Sequence, residues 1–141
     1  TIIRIPSPIG AGMRNNVYLS LLISKMMNNE DVEIYGEGRR IQNYIDVRDL
    51  SKAVLKTIEK GAEGLYVIGG EKSISNIDLA KLCKKIMNSY SGINMGFHSD
   101  YAENEKWIIS YEKAERDIGY RPEYTIEESI RWIYDDMRRK K

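Results

Sequence analysis

The chain has 141 residues, a length that allows one domain with a hydrophobic core and is short for two. Its 22 lysines and arginines are balanced by 21 aspartates and glutamates, so the charge does not favour nucleic acid or an acidic membrane surface as a partner. The single cysteine, Cys83, excludes an internal disulfide, and no apolar run approaches the ~20 residues of a membrane-spanning helix. With no signal peptide at its start, the chain is expected to be cytoplasmic.

The chain opens directly on a strand pattern. Residues 1–9 are apolar on both faces apart from Arg4, which is typical of a strand inside a parallel sheet. A helix is predicted over residues 17–30, with an inner face formed by Val17, Leu21, Met26 and Met27. Because no initiator Met or other segment precedes the strand, we expect a fragment whose first strand finds its neighbours elsewhere.

A Gly-x-Gly turn lies in the segment "IYGEGRRIQNYIDVRDL", residues 34–50. A dinucleotide-binding turn needs a third glycine and a helix that begins directly after it, and this segment has neither. Two alternating apolar and polar runs flank Gly36 and Gly38 instead. The pattern therefore predicts a β-hairpin in which the glycines supply the turn conformation.

A helix and a buried strand are predicted after this segment. Asp49 is placed to cap a helix over residues 50–61, with Val54 and Ile58 on its inner face. The apolar residues 64–69 predict a second short strand.

Three further helices are predicted in the second half of the chain. Ser75 precedes one of them as a cap, and Thr125 with Glu128 forms a capping box before the last. The predicted elements are a helix over 76–89, a strand over 93–99, a helix over 111–119 and a final helix after Thr125. Strands separated by helices indicate a mixed α/β fold.

The chain shows no catalytic or metal-binding machinery. It has one histidine, His98, and one cysteine, and these two residues do not make a convincing thiol–imidazole pair or a zinc cluster with the usual ligand spacing. Cys83 lies in a helical apolar stripe and is predicted to be core, whereas His98 is predicted to lie at the surface. None of the ten tyrosines is followed by lysine four positions later, a pairing that serves acid–base catalysis.

Four segments together resemble a known family. They are "TIIRIPSPIGAGM", "VEIYGEGRRIQNYIDVRDLSKAVLKTIEKG", "GLYVIGGEKSISNIDLAKL" and "SYEKAERDIGYRPEYTIEESIRWI". In this order they resemble the C-terminal part of the NAD-dependent epimerase/dehydratase family. These extended short-chain dehydrogenases/reductases act on nucleotide sugars, and UDP-glucose 4-epimerase is a familiar member.

The resemblance implies a fold and a domain. In the family the N-terminal half binds NAD or NADP on a Rossmann sheet and carries the catalytic Ser/Thr, Tyr and Lys. This chain would be the C-terminal substrate-binding part, with two Rossmann strands (residues 1–9 and 64–69), a hairpin and about five helices. Residues 1–141 would form this single domain, with no cofactor of its own.

The resemblance also implies substrate contacts. Ser7 stands where the family has an asparagine that contacts substrate, and it keeps a hydrogen-bonding group. Asn16 and Val17 resemble an Asn-plus-apolar pair whose Asn contacts the diphosphate at a helix start. Gln42 replaces a diphosphate-binding arginine, and Ile74 resembles the apolar residue that packs against the nucleotide base.

The charge lost at Gln42 has a candidate replacement. Arg40 lies two positions earlier, on the same face of the predicted strand and about 7 Å along it. A second family arginine falls near Asp100, which would repel phosphate. Alternatively, Arg39 and Arg40 are solvated turn residues, and the substrate has no diphosphate where the family's has one.

The resulting hypothesis is the substrate-binding portion of an NAD-dependent nucleotide-sugar epimerase or dehydratase, inactive alone. Its expected partners are a nucleotide-diphosphate sugar and the protein's own N-terminal Rossmann half. A reductase or decarboxylase of the same family is an alternative, as is a non-catalytic relative that binds or assembles. The isolated chain is also expected to self-associate, because its strands suit a larger sheet.

Overall fold

The structure is a computed structural model that describes residues 1–140. This part of the chain contains five helices and seven short strands, which pair mostly in parallel. The elements are β1 (Ile2–Arg4), β2 (Ser7–Ile9), α1 (Tyr18–Met27), β3 (Val32–Ile34), β4 (Ile41–Asp46), α2 (Val47–Glu59), β5 (Leu65–Val67), β6 (Ser73–Ser75), α3 (Asn76–Met87), β7 (Ile93–Met95), α4 (Glu112–Ile118) and α5 (Ile126–Arg139). No helix within residues 1–140 is long and apolar enough to cross a membrane. The predicted α/β class and the number of helices are confirmed.

Three small sheets hold the strands. β1 pairs in parallel with β5, and β3 pairs in parallel with β7. β4 is the central strand of the third sheet, parallel to β2 and antiparallel to β6. The first nine residues therefore contribute two short strands to different sheets, with Pro6, which has no N–H for a ladder bond, between them.

The predicted hairpin is wrong, because β3 and β4 flank the Gly-x-Gly turn without pairing. Residues 105–107 lie beside the start of β4 instead: the N–H of Ile41 donates to the carbonyl of Glu105 and the N–H of Trp107 to the carbonyl of Ile41, both at 2.9 Å. β3 meets its partner β7 about sixty residues later in the chain, which local alternation does not reveal.

Two hydrophobic cores meet at β4. Tyr44 packs in the larger core with α1, α3 and α5, and the next residue, Ile45, packs in the smaller core with α2, β5 and α4. Successive side chains of a strand point to opposite faces, so β4 serves both cores at once. This strand also carries Gln42, and its position fixes the candidate site.

The inner faces of the first two helices differ in part from prediction, since only Met26, which is buried, and Met27, which packs against the larger core, face inward as predicted. The buried apolar residues of α1 are Leu19, Leu22, Ile23 and Met26. Val17 and Leu21 are instead 39% and 47% exposed. On α2, Val54 and Ile58 are exposed, and Ala53 and Thr57 face inward.

The start of α2 also differs, because Asp46 and not Asp49 caps it. The Asp46 carboxylate accepts a hydrogen bond from the N–H of Arg48 at 2.8 Å. Asp49 has a long-range role: its Oδ2 accepts hydrogen bonds from the N–H groups of Glu123 and Tyr124 at 3.1 Å.

The strand predicted over residues 93–99 ends at Met95, whereas the caps and the burial predicted later in the chain are confirmed. Ser75 caps α3, and Thr125 with Glu128 forms the capping box of α5. Cys83 is fully buried, and His98 is exposed.

A buried carboxylate joins β4, α2 and α5. The side chain of Asp46 is fully buried and accepts from Nε and Nη2 of Arg48 at 2.9 and 2.8 Å and from Oγ of Ser129 at 2.6 Å. The guanidinium lies between the rings of Tyr124 and Trp132, 3.6 and 4.1 Å from their centroids. Burial raises the pKa of Asp46, but the hydrogen bonds from Arg48 and Ser129 outweigh burial and hold it below its usual value.

Candidate functional site

A cavity of about 550 Å³ lies where β2 ends and α1 begins. Its walls are mainly apolar, with a few polar groups that converge on the space, the usual composition of a small-molecule site. The lining residues are Ser7, Pro8, Ile9, Gly10, Ala11, Gly12, Met13, Arg14, Val17, Tyr18, Leu19, Gln42, Tyr44 and Val47. We call it the main cavity.

Three of the six predicted substrate residues line the main cavity: Ser7, Val17 and Gln42. The other three, Asn16, Arg40 and Ile74, are not among its lining residues. Asn16 is exposed directly before Val17. Ile74 lies opposite Gln42 in the β4–β6 pairing and packs against the larger core.

Two tyrosines that the sequence analysis did not select also line the main cavity. Burial, with a smaller contribution from Cys83, raises the pKa of Tyr44 to about 12, although the charge of Arg40 partly lowers it. Burial, followed by the proximity of Tyr44, raises the pKa of Tyr18 above its usual value, and its hydroxyl donates to the carbonyl of Asn76 at 3.3 Å. Both phenols are therefore neutral near pH 7 and serve as hydrogen-bonding groups. Tyr44 could have been found from the sequence, because it shares a strand face with Gln42.

The loop over residues 10–14 forms one wall, and several contacts hold it in place. The N–H of Gly12 donates to the Asp136 carboxylate on α5 at 3.0 Å, and the Oγ of Ser20 donates to the carbonyl of Arg14 at 2.7 Å. Gly10 packs so closely against Val47 that a Cβ atom would overlap it. Residues of α1, α2 and α5 thus hold this wall in place.

The two arginines of the turn have acidic partners. Arg40 Nη2 lies 3.5 Å from Glu105 Oε2, and its buried Nε has no hydrogen-bond partner within residues 1–140. Arg39 is paired with Glu37 at 2.9 Å and, through Nε, with Glu103 at 3.5 Å. The prediction that Arg40 replaces the lost charge stays a prediction.

The backbone N–H groups of the Gly-x-Gly turn bind a carboxylate of the chain itself, that of Glu103. The Glu103 carboxylate accepts hydrogen bonds from the N–H groups of Glu37 and Arg39 at 3.0 and 2.8 Å. Chiefly the hydrogen bond from Arg39 holds the pKa of Glu103 below its usual value. Gly36 has φ +62°, and a Cβ atom there would overlap the carboxylate, so both conformation and space require glycine.

A second cavity of about 380 Å³ shares Tyr18 with the main cavity. Asp100 is one of its polar groups, and its Oδ1 accepts a hydrogen bond from the N–H of Ala102 at 2.9 Å. The remaining lining residues are Leu21, Leu22, Lys25, Val32, Glu33, Tyr35 and Asn76. The two cavities therefore adjoin the same tyrosine.

His98 belongs to neither cavity. Its Nε2 lies 3.5 Å from Glu33 Oε1, and its ring contacts Tyr35 with centroids 5.0 Å apart. Within residues 1–140, no three His, Cys, Asp or Glu side chains lie close enough to hold a metal ion.

Comparison with known sequences gives one family and several relatives. Residues 1–69 match the sequence model of the NAD dependent epimerase/dehydratase family. A dTDP-glucose 4,6-dehydratase of Actinoplanes sp. is 25% identical over 120 residues, which are 81% of this chain and 37% of the relative. An Escherichia coli dTDP-glucose 4,6-dehydratase is 27% identical over 124 residues, 79% of this chain and 34% of the relative. The chain thus spans about a third of the length of these two relatives.

Solved structures share the fold over almost the whole chain. UDP-glucose 4-epimerase of Thermotoga maritima, solved with UDP-glucose, has a TM-score of 0.89 at 23% identity, covering 98% of this chain and 45% of its own. UDP-glucuronic acid 4-epimerase of Bacillus cereus, solved with UDP-glucuronic acid and NAD, has a TM-score of 0.87 at 19% identity, covering 99% and 45%. These matches confirm the fold that the resemblance implied.

Proposed function

We propose that this chain, a relative of the NAD-dependent epimerase/dehydratase family, is the substrate-binding portion of an enzyme that epimerises or dehydrates a nucleotide sugar. The observation that carries the proposal is the main cavity, which brings together Ser7, Val17 and Gln42. These residues come from β2, the start of α1 and β4, and the resemblance selected all three as substrate contacts.

The shape and chemistry of the two cavities support a nucleotide sugar as ligand. Such a molecule has a flat base at one end and a sugar at the other, joined by a diphosphate. The two cavities share Tyr18 and hold about 550 and 380 Å³, within the range of ligand pockets. Asn16, Arg40 and Ile74 complete the proposed contacts.

We propose that the cofactor NAD or NADP, which in the whole enzyme accepts and returns a hydride, is held by residues outside this chain. The turn at Gly36 does not fit a pyrophosphate, because Glu103 fills its amides and a strand follows it. On this proposal the chain alone turns over no substrate.

The same proposal makes a Rossmann half a partner of this chain. Among the described residues, β1 is paired on one edge only, to β5. Ile2 on β1 and Ile58 on α2 are 63% and 71% exposed. Unpaired strand edges and exposed apolar side chains are surfaces that a neighbouring sheet can cover.

Calorimetric titration of the chain with UDP-glucose, dTDP-glucose and NAD tests the proposal. We expect binding of at least one nucleotide sugar and no measurable binding of NAD. Val17→Trp should weaken sugar-nucleotide binding at least about tenfold by filling the main cavity. Val54→Trp is the matched control, because Val54 is also 39% exposed but lies away from both cavities.

Two outcomes would contradict the proposal. One is equal binding by the Val17→Trp and Val54→Trp proteins, which would locate the ligand elsewhere. The other is failure of both sugar nucleotides to bind, which would favour the non-catalytic relative.

A further inference from the structure

Within residues 1–140, the lining of the main cavity includes one charged residue, Arg14, and no aspartate or glutamate. The remaining lining residues are apolar side chains, glycines and the neutral polar groups of Ser7, Gln42, Tyr18 and Tyr44. A ligand in this cavity therefore lies next to an arginine, and no acidic residue of the described lining offsets its charge. That charge favours an anionic group over a neutral one.

Arg14 also differs from the arginines of the turn in its partners. Arg39 and Arg40 are each paired with a glutamate, whereas Arg14 forms no ion pair within residues 1–140. A ligand can bind an unpaired arginine without first displacing a carboxylate. Arg14 is thus the guanidinium of the three that is free to receive an external anion.

The backbone of Arg14 is held in position even though its side chain is exposed. Its carbonyl accepts the Oγ hydrogen bond of Ser20 at 2.7 Å, and the neighbouring wall is tied to Asp136 through Gly12. A fixed backbone lowers the entropy lost when the side chain binds a ligand. The planar guanidinium can make two parallel hydrogen bonds to phosphate oxygens.

We infer that Arg14 binds the diphosphate of the ligand, a role that the sequence pattern assigned to Arg40. This inference rests on the proposed function, and it adds a specificity-determining residue. It also explains how the site tolerates glutamine at position 42: the positive charge comes from the loop before α1 and not from β4.

The test is calorimetric titration of the full chain with UDP, uridine and UDP-glucuronic acid at low and moderate salt. Arg14→Gln should weaken UDP binding at least about tenfold, the effect of losing a charge-assisted hydrogen bond, and should leave uridine binding unchanged. The salt dependence of UDP binding should also become shallower. Arg4→Gln is the matched control, because Arg4 is an exposed arginine without an ion pair within residues 1–140 and outside the main cavity.

The outcomes show whether Arg14 binds the ligand and, if it does, whether it binds the diphosphate or a carboxylate of the sugar. If the Arg14→Gln change weakens UDP-glucuronic acid but not UDP, the residue binds a sugar carboxylate and the diphosphate assignment is overturned. If UDP binds the unaltered, Arg14→Gln and Arg4→Gln proteins equally, Arg14 has no role while the proposed function stands. If the unaltered chain binds no UDP or UDP sugar, the proposed function fails and the inference fails with it.

Discussion

Replacing Arg48 should be among the most damaging single changes in the chain, because it leaves Asp46 buried without its counter-charge. Loss of one partner of a buried ion pair costs about 3–5 kcal/mol. The lower end applies here, since the Arg48 side chain is 32% exposed and water can partly replace it. Stacking against Tyr124 and Trp132 adds about 0.5–1 kcal/mol for each ring. For Arg48→Ala we expect a loss of about 4 kcal/mol in the free energy of unfolding.

The assay is urea denaturation followed by far-ultraviolet circular dichroism. Arg131→Ala is the control, because Arg131 also has an acidic partner at 2.8 Å, Glu127, but the pair is exposed on α5. An exposed pair four residues apart on a helix contributes about 0.3–0.5 kcal/mol. Arg48→Lys keeps the charge but loses the double hydrogen bond and the flat stacking surface, so it should cost about 2 kcal/mol. Equal losses for Arg48→Ala and Arg131→Ala would refute the reasoning.

The pH dependence supplies a second check with a definite sign. In the unaltered chain the pKa of Asp46 lies below its usual value of 3.8, so its stabilising contribution is present above that pH and is lost below it. In Arg48→Ala the burial of Asp46 is no longer outweighed, and its pKa should rise above 3.8. Stability of the variant relative to the unaltered chain should therefore improve as the pH falls from 7 towards 4. A difference that does not change over this range would contradict the assignment.

Two further predictions concern the core and the sheet edge. Burial raises the pKa of Cys83 to about 12, so a thiol reagent at pH 8 should react at least about a hundredfold more slowly with the native chain than with the chain in urea, and rapid native reaction would contradict this. The isolated chain should self-associate with rising concentration in sedimentation experiments, because β1 is paired on one edge and Ile2 and Ile58 are exposed. Ile58→Lys should weaken the association, and a monomer at every concentration would count against the prediction.

Features that depend on neighbouring residues could be predicted from the sequence. Ser75 and the Thr125–Glu128 pair could be predicted as helix starts, because their capping hydrogen bonds connect residues only three positions apart in the chain. The burial of Cys83 follows from its place in a helical stripe.

Features that depend on distant residues could not. The turn at Gly36 carries the local signature of a hairpin, but Glu103 binds its amides, and β7 pairs with β3. The cap of α2 was predicted at Asp49, but the N–H groups of Glu123 and Tyr124 donate to the Asp49 carboxylate, and Asp46 caps the helix.

The candidate site shows the same division. Ser7, Val17 and Gln42 could be predicted because the family resemblance of the ordered segments assigns substrate contacts to these positions, and all three line the main cavity. Arg14 lies in a loop without periodic pattern, so only the folded chain shows that it lines this cavity and that no acidic side chain within residues 1–140 pairs with it.

The contact between Gly12 and Asp136 spans 124 positions of the chain. On the ribosome, residues 10–14 emerge long before α5, so for most of synthesis this wall of the cavity lacks the helix that holds it. A nascent chain can form α1 and the β2–β4 pair early, but the contacts of this wall with Trp132 and Asp136 cannot form until residues 132–136 have left the exit tunnel. A ligand that binds before α5 emerges therefore meets a cavity whose wall is not yet held by that helix.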